Sequence, residues 1–217
     1  MANDGCFDSP TVLREYLQQV RQALDAVSEE EVLRVGQALL RARQRGSTVY
    51  LLGNGGSAST ASHAANDLTK TGSVGAGPAL RTISLPDNVS MLTAWANDTA
   101  FENIFSAQLE ALLRPGDVVV AISGSGNSPN VLRAVETARK MDATSVGLAG
   151  FAGGRLREMA DLCVVVPGLA QGPIEDLHLI LMHVLTEILK RANREQTEPV
   201  AAGAGRRSDG QEAESWS

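Results

Sequence analysis

At residues 121–130 the sequence is Ala121-Ile122-Ser123-Gly124-Ser125-Gly126-Asn127-Ser128-Pro129-Asn130. The apolar run 117–120 comes before this stretch, and residues 131–140 after it have the spacing of an amphipathic helix. A strand, a glycine-rich turn and the start of a helix together predict a cradle for a phosphate group, because glycines let backbone N–H groups approach an anion. A flexible surface turn is the alternative interpretation.

Hydroxyl groups and the helix start favour the phosphate cradle. Ser123, Ser125 and Ser128 add hydrogen-bond donors without bulk. Ser128 is also a favourable N-cap, and Pro129 suits the first helical position, where a missing N–H costs nothing. The stretch has neither the Gly-Lys-Ser/Thr of a P-loop nor the glycine spacing of a dinucleotide fingerprint. The sequence therefore predicts a phosphorylated small molecule as the ligand.

Composition excludes several classes of protein. The 217 residues carry a formal net charge of −6, which argues against nucleic-acid binding. Cys6 and Cys163 lie far apart, without the spacing of a disulfide framework or a metal knuckle, so a reducing cytoplasm is the expected location. We expect no membrane span, since no apolar stretch approaches about 20 residues, and no signal peptide.

Apolar, β-rich runs alternate with helical patterns along the chain. This alternation predicts an α/β fold with a parallel sheet that is covered on both faces and binds its ligand at the carboxyl ends of its strands. The predicted strands are 48–52, 80–85, 117–122, 144–148 and 162–166. The predicted helices are 57–70, 88–96, 100–113, 128–140, 155–160 and 174–192.

Two further helices precede the first strand. Leu13, Leu17, Val20, Leu24 and Val27 form one apolar stripe, which could pack on the sheet or on a second subunit. A second helix is expected from an N-cap at residue 28 to a stop at residue 46. We divide the chain into a polar leader (1–10), one domain with its two N-terminal helices (11–193) and a disordered tail (194–217), and we expect a mobile loop at 71–78.

A second glycine loop, Gly53-Asn54-Gly55-Gly56-Ser57, follows the first strand and opens a helix. It repeats the cradle pattern, and the Asn54 amide could bind a sugar hydroxyl; a tight strand-to-helix turn is the alternative. On the helix that follows, His63 and Asp67 are four residues apart and share a face. Such a pair can hold a divalent ion, act as an acid and a base, or form an ordinary surface hydrogen bond.

The final helix is apolar nearly all round and should be buried, so its acids and histidines should be paired or bound. His178 and His183 lie there with Glu175; a hydrogen-bond network would explain His178 alone. Glu175 and His183 together with His63 and Asp67 would supply four ligands of a kind common at zinc sites. Asn97 and Asp98 add an amide and a carboxylate at the end of an earlier helix, although both are also ordinary helix stops.

These motifs resemble the phosphoheptose isomerases, a branch of the sugar isomerase (SIS) domain family. The resemblance runs to about residue 190 and rests on the SGSGNS loop, the GNGGS loop with its His-x-x-x-acid helix, Asn97-Asp98, and the Ile-Glu-Asp-Leu-His segment with His183. It implies a flavodoxin-like three-layer α-β-α sandwich with a five-stranded parallel sheet. It also implies a homotetramer with sites at subunit interfaces, and isomerisation of sedoheptulose 7-phosphate to D-glycero-D-manno-heptose 7-phosphate, often with zinc.

The resemblance also assigns roles to individual residues. It implies Asp67 as base and His183 as acid, with a metal ion held by His63, Asp67, Glu175 and His183. The residues expected to bind the phosphate and the sugar are Asn54, Gly55, Gly56, Ser57, Asn97, Asp98, Ser123, Gly124, Ser125, Ser128 and Glu175.

Four positions depart from the usual pattern of this branch. Asp67 replaces a glutamate, Glu175 a glutamine, Thr71 an arginine and Gly172 an acid. The isomerase interpretation requires that Asp67 and His183 meet at one pocket floored by the serines. A non-catalytic SIS module that binds a phosphosugar or a replication initiator is the alternative.

Overall fold

The computed structural model describes residues 9–72, 78–168 and 170–197, and the following statements concern those residues. The predictions made for residues 1–8, for 73–77 within the loop 71–78 and for 198–217 within the tail lie outside the described residues.

Five parallel strands form one sheet in the order β2-β1-β3-β4-β5. Their register sets Val49 opposite Val118, and Val118 opposite Thr144. Every residue of β1 and β3 is buried, as expected for central strands covered on both faces. The predicted five-stranded parallel sheet is confirmed. The strands are β1 (Thr48–Gly53), β2 (Arg81–Ser84), β3 (Val118–Ser123), β4 (Thr144–Gly150) and β5 (Leu162–Val166).

Helices cover both faces of the sheet, which gives the three-layer sandwich. One apolar core lies between the sheet and the helices α1, α2, α3 and α8. A second lies on the opposite face, beneath α5, α6 and α7. The helices are α1 (Ser9–Asp25), α2 (Glu29–Arg45), α3 (Gly56–Gly72), α4 (Val89–Asp98), α5 (Ser106–Leu112), α6 (Pro129–Lys140), α7 (Gly154–Met159) and α8 (Gln171–Thr197), with 3₁₀ turns at Leu85–Asp87 and Phe101–Asn103.

The predicted boundaries differ from the structure most clearly at the end of β2, within 100–113 and at both ends of α8. Strand β2 ends at Ser84 because Pro86 lacks the N–H that would continue the ladder, and a 3₁₀ turn follows. The predicted helix 100–113 is divided into a 3₁₀ turn and the short α5. Helix α8 begins three residues earlier and continues to Thr197, so residues 194–197 of the predicted tail are helical. Pro173 is tolerated in α8 because the N–H groups of a first turn have no partner within the helix.

The predicted caps of α2 are present. The Ser28 hydroxyl accepts a hydrogen bond of 3.3 Å from the Glu31 amide, and Gly46 ends the helix with φ of 69°. The apolar stripe of α1 is only partly used within the chain. Leu13 is 59% exposed and Leu24 is 47% exposed, whereas Ala23 is buried. Within the described ranges, no helix is both long and apolar enough to span a bilayer.

Candidate active site

A polar cavity of about 220 Å³ opens at the carboxyl ends of β1 and β3. We call it the serine cavity. The starts of α3, α6 and α8 surround it, so the positive ends of three helix dipoles meet there. The cavity brings together most of the residues predicted to bind the phosphate and the sugar. Its lining residues are Asn54, Ser57, Ile122, Ser123, Gly124, Ser125, Ser128, Gln171 and Glu175.

The serine loop, residues 123–128, folds as a tight turn around the cavity. The Gly126 amide donates to the Ser123 carbonyl at 3.0 Å, and the Oγ atoms of Ser123 and Ser128 lie 3.3 Å apart. Ser128 is the N-cap residue of α6, as predicted, but its side chain makes no capping hydrogen bond. Its hydroxyl instead pairs with that of Ser123, and one of the two O–H groups stays free to donate to a ligand. Ser125 instead accepts a hydrogen bond from the Asn127 amide, at 3.2 Å.

Asn54 and Asn130 join the two glycine loops. The Asn54 amide donates to Asn130 Oδ1 at 2.9 Å, and the Asn130 amide donates to Asn54 Oδ1 at 2.8 Å. Asn54 retains one N–H and one lone pair for a sugar hydroxyl, the role predicted from the sequence. We did not predict the role of Asn130, because nothing local distinguishes it from a loop residue.

Two residues in the first turn of α8 close one side of the cavity. The Gln171 amide donates to Glu175 Oε1 at 2.8 Å. A Cβ atom at Gly56 would lie 2.3 Å from Glu175 Oε2, and one at Gly124 would lie 2.3 Å from Gln171 Nε2. A side chain at either position would therefore displace the Glu175 carboxylate or the Gln171 amide from its place beside the cavity. Gln171 was not predicted, although its i,i+4 spacing to Glu175 was a signal.

The second group of polar residues lies on the facing sides of α3 and α8. His63 Nε2 is 2.9 Å from His183 Nε2 and 3.1 Å from Asp67 Oδ2, and His183 Nε2 is 3.5 Å from Asp67 Oδ2. Asp67 is 27% exposed, and the two histidine side chains are about half exposed. We call these three residues the His–Asp cluster. Asp67 and His183 meet, as predicted, but the prediction that they do so at one pocket floored by the serines is wrong within this chain.

The cavity and the His–Asp cluster lie at different points along the same pair of packed helices. Helices α3 and α8 run parallel, with Gly56 beside Glu175 at their starts and Asp67 beside His183 further along. Glu175 and His183 are eight residues apart, which corresponds to about 12 Å along a helix. Within this chain, Glu175 therefore lines the cavity and lies outside the cluster, and neither Asp67 nor His183 lines the serine cavity.

Comparison with known proteins gives the family. The profile described as the SIS domain matches residues 15–150. A phosphoheptose isomerase of Mycobacterium tuberculosis is 40% identical over 168 residues, which cover 77% of this chain and 85% of that protein. One from Akkermansia muciniphila is 38% identical over 162 residues, covering 75% and 84%. The chain belongs to the phosphoheptose isomerase branch of the SIS domain family.

The same branch is found among solved structures. The phosphoheptose isomerase of Neisseria gonorrhoeae superposes with a TM-score of 0.77 at 31% identity, covering 84% of this chain and 96% of that one. The SIS domain of an RpiR transcription factor from Sphaerobacter thermophilus superposes with a TM-score of 0.63 at 19% identity. The second likeness shows the fold alone.

Asn97 and Asp98 lie apart from the cavity in this SIS chain. They end α4, where the Asn97 amide donates to Asp98 Oδ1 at 2.8 Å, and both side chains are exposed. No residue of α4 is buried, although the helix is largely apolar. Trp95 is 37% exposed. The structure therefore does not bring the predicted pair to the cavity of its own chain.

His178 departs from the expectation that buried histidines in the final helix are paired. The ring is fully buried, and neither nitrogen reaches hydrogen-bond geometry with a described residue. Burial lowers the pKa of His178, opposed by the nearby Ala149 backbone and the Glu175 charge. The ring is therefore neutral at pH 7, and a neutral imidazole costs far less to bury than a charged one.

The His–Asp cluster has the donor set of a metal site. Its two Nε2 atoms and one carboxylate oxygen all lie within 4.8 Å of one another. Two imidazoles and one carboxylate with an open fourth position are a set that catalytic zinc sites use. The three residues therefore fit Zn²⁺ without the predicted fourth ligand, Glu175.

Proposed function

We propose that this SIS protein is a phosphoheptose isomerase that converts sedoheptulose 7-phosphate to D-glycero-D-manno-heptose 7-phosphate. The observation that carries the proposal is the contact between Asp67 and His183 on the two helices that also build the serine cavity. A module that only binds a phosphosugar needs neither residue. The relatives at 38% and 40% identity bear the name of this activity.

The serine cavity is suited to the phosphate group. Three helix-dipole ends favour an anion there, and the hydroxyls of Ser123, Ser125 and Ser128 supply donors. Among the described residues, no lysine or arginine lines the cavity. Glu175 adds a negative charge where related enzymes are expected to have a neutral glutamine. Gln171 offsets part of this charge by donating to Glu175.

The separation of cavity and cluster suits a long substrate. In a heptose 7-phosphate, the phosphate is on the last carbon and the reacting carbonyl is on the second. An extended chain holds these groups well apart, so its phosphate and its carbonyl require two separate sites. The cavity and the His–Asp cluster, about two helical turns apart on α3 and α8, offer such a pair.

The isomerisation relocates two protons, and the carbonyl group moves from C2 to C1. Asp67 would remove a proton from C1 of the ketose and return it to C2, through an enediol. His183 would transfer the proton of the C1 hydroxyl to the C2 oxygen. The two side chains lie 3.5 Å apart, as required if they serve adjacent carbons and oxygens of one substrate. Groups positioned for such transfers typically contribute about 10²- to 10⁴-fold in rate.

We propose that His63, Asp67 and His183 hold a zinc ion. When bound, Zn²⁺ would supply Lewis-acid stabilisation of the oxygen that becomes negative in the enediol. His183 uses the same Nε2 atom to bind metal and to donate a proton, so the two roles exclude each other at any one moment. The metal content of the active protein decides which role His183 plays.

We also propose a homo-oligomer, with a tetramer expected from the family resemblance. Large apolar side chains on α1 and at α4 are exposed in the single chain, including Leu13 (59%), Val89 (65%) and Phe101 (57%). A partner subunit covering α4 would carry Asn97 and Asp98 into an interface, where the resemblance expects them to contact the sugar. We propose a cytoplasmic enzyme, since the two cysteines lack the pattern of a disulfide framework.

The test is direct. Purified protein is incubated with sedoheptulose 7-phosphate, with zinc or with a chelator, and the sugar is followed by NMR. Appearance of the heptose 7-phosphate supports the proposal. If the protein binds sugar phosphate but forms no isomer under either condition, the non-catalytic SIS module is the better interpretation.

A further inference from the structure

The start of α8 is held from two sides. Its inner side carries Gln171 and Glu175, which close the serine cavity. Its outer side faces α1, where the Tyr16 hydroxyl donates a hydrogen bond of 2.6 Å to Asp176 Oδ2. Asp176 directly follows Glu175 in the chain, so a displacement of one residue moves the other.

The Tyr16 ring fits because residue 172 is a glycine. A Cβ atom at Gly172 would lie 2.9 Å from the Tyr16 hydroxyl oxygen and 3.2 Å from the ring atom Cε2. The hydroxyl group of Tyr16 thus lies over the first turn of α8, where a side chain at residue 172 would begin. Gly172 and Asp176 are four residues apart, so both lie on the face of α8 that meets Tyr16.

This half of α1 is largely exposed. Ala23, near the other end of the helix, is the one residue of α1 that is buried, and Val12, Leu13 and Leu17 are each more than 40% exposed. The Tyr16–Asp176 hydrogen bond therefore links the middle of α1 to the first two turns of α8.

We propose that Tyr16 is a positioning residue for the phosphate site, which acts by holding the first turn of α8 so that Gln171 and Glu175 keep their places against Gly124 and Gly56. The inference deepens the proposed function, on which it rests for the identity of the natural ligand. Tyr16 touches neither the cavity nor the His–Asp cluster in the contacts described, so its effect falls on binding of the phosphate end and not on proton transfer.

Tyr16→Phe is the main test, with inorganic phosphate as the probe in calorimetric titrations. We expect the phosphate Kd to rise about five-fold, the size expected for one hydrogen bond. With the heptose phosphate, KM should rise by a similar factor at unchanged kcat. Tyr50→Phe is the matched control, because Tyr50 is the other tyrosine of the chain and its hydroxyl donates to the Leu112 carbonyl, far from α8.

A second variant tests the same contact without changing Tyr16. Gly172→Ala should displace the Tyr16 hydroxyl and raise the phosphate Kd, whereas in the Tyr16→Phe background it should add little. An unchanged Kd in folded Tyr16→Phe, or a kcat that falls while KM stays constant, would overturn the proposal. Because the phosphate titration needs no turnover, weaker binding by Tyr16→Phe in a protein without isomerase activity would support the positioning role and count against the proposed function alone.

Discussion

Asn54 and Asn130 are 76 residues apart in the chain, and their carboxamides exchange two hydrogen bonds of 2.9 and 2.8 Å. Asn54 lies in the loop before α3, and Asn130, which is fully buried, lies in the first turn of α6. This pair fixes the distance between the two glycine loops that form the floor of the serine cavity. The shape of the anion site therefore depends on a contact that neither loop specifies alone.

The Asn54–Asn130 pair predicts that Asn130→Asp weakens phosphate binding. A carboxylate cannot donate to Asn54 Oδ1, and its charge repels the anion. We expect the Kd for inorganic phosphate to rise at least about ten-fold, as for the loss of a buried polar partner. Titration calorimetry measures the change, with Ser59→Ala, an exposed position on α3, as the control. An unaltered Kd in the folded Asp variant would show that the pair does not shape the site.

Asp67→Asn separates an enzyme from a binding module. The amide cannot accept a proton from carbon, so we expect kcat to fall by at least about 100-fold. Phosphate binding should not change, because Asp67 lies outside the cavity. NMR assays of turnover and calorimetric titrations with phosphate give the two quantities on the same preparation. Full turnover by this variant would exclude Asp67 as the base.

The sequence predicted the strands and the helix starts well because their signals are local. Apolar runs mark β1 and β3, and Ser28, Gly46 and Pro129 mark helix ends through their own backbone preferences. The sequence predicted one pocket for the serines, Asp67 and His183, whereas the structure separates the serine cavity from the His–Asp cluster. This separation depends on how α3 and α8 align, and the side-chain spacing on either helix does not determine that alignment. The Asn54–Asn130 contact was missed because it joins segments 76 residues apart, whereas the i,i+4 spacing of Gln171 and Glu175 was a local signal that was not used.

Gly126 is predicted to be far more sensitive to substitution than Gly46, although both have positive φ, 64° and 69°. A Cβ atom at Gly46 would have no other atom within 4 Å. Gly46→Ala should therefore lower the free energy of unfolding by about 1–2 kcal/mol, through backbone strain alone. A Cβ atom at Gly126 would lie 2.0 Å from the Gly153 carbonyl oxygen, so Gly126→Ala should cost an additional ~1–3 kcal/mol. Urea unfolding compares the two variants. Equal losses would mean that the serine loop can move away from α7.

His178 predicts a loss of stability in mild acid. Burial lowers the pKa of His178 in the folded protein. The stability that the neutral ring contributes is therefore fully present above the pKa of the unfolded chain, about 6.5, and is lost as the pH falls below that value. The free energy of unfolding should fall there by up to about 1.4 kcal/mol per pH unit for this one proton. His178→Leu should remove that part of the slope in urea titrations between pH 7.5 and 5.

Two exposed histidines provide the control for this pH effect. His63→Gln with His183→Gln leaves His178 as the only histidine of the chain, and the slope should persist in that variant. A slope that disappears there and remains in His178→Leu would assign the pH dependence to the His–Asp cluster.

Glu175→Gln distinguishes a three-ligand from a four-ligand metal site. Glu175 lines the serine cavity about two helical turns from His183, so we expect zinc content to stay the same in Glu175→Gln and to fall in His63→Ala. Removing a negative charge beside the anion should also tighten phosphate binding, by about five-fold for ~1 kcal/mol of like-charge repulsion near a surface. Metal analysis and phosphate titration of the purified variants test both effects. Loss of zinc from Glu175→Gln would show that the first turn of α8 moves toward the cluster when metal binds.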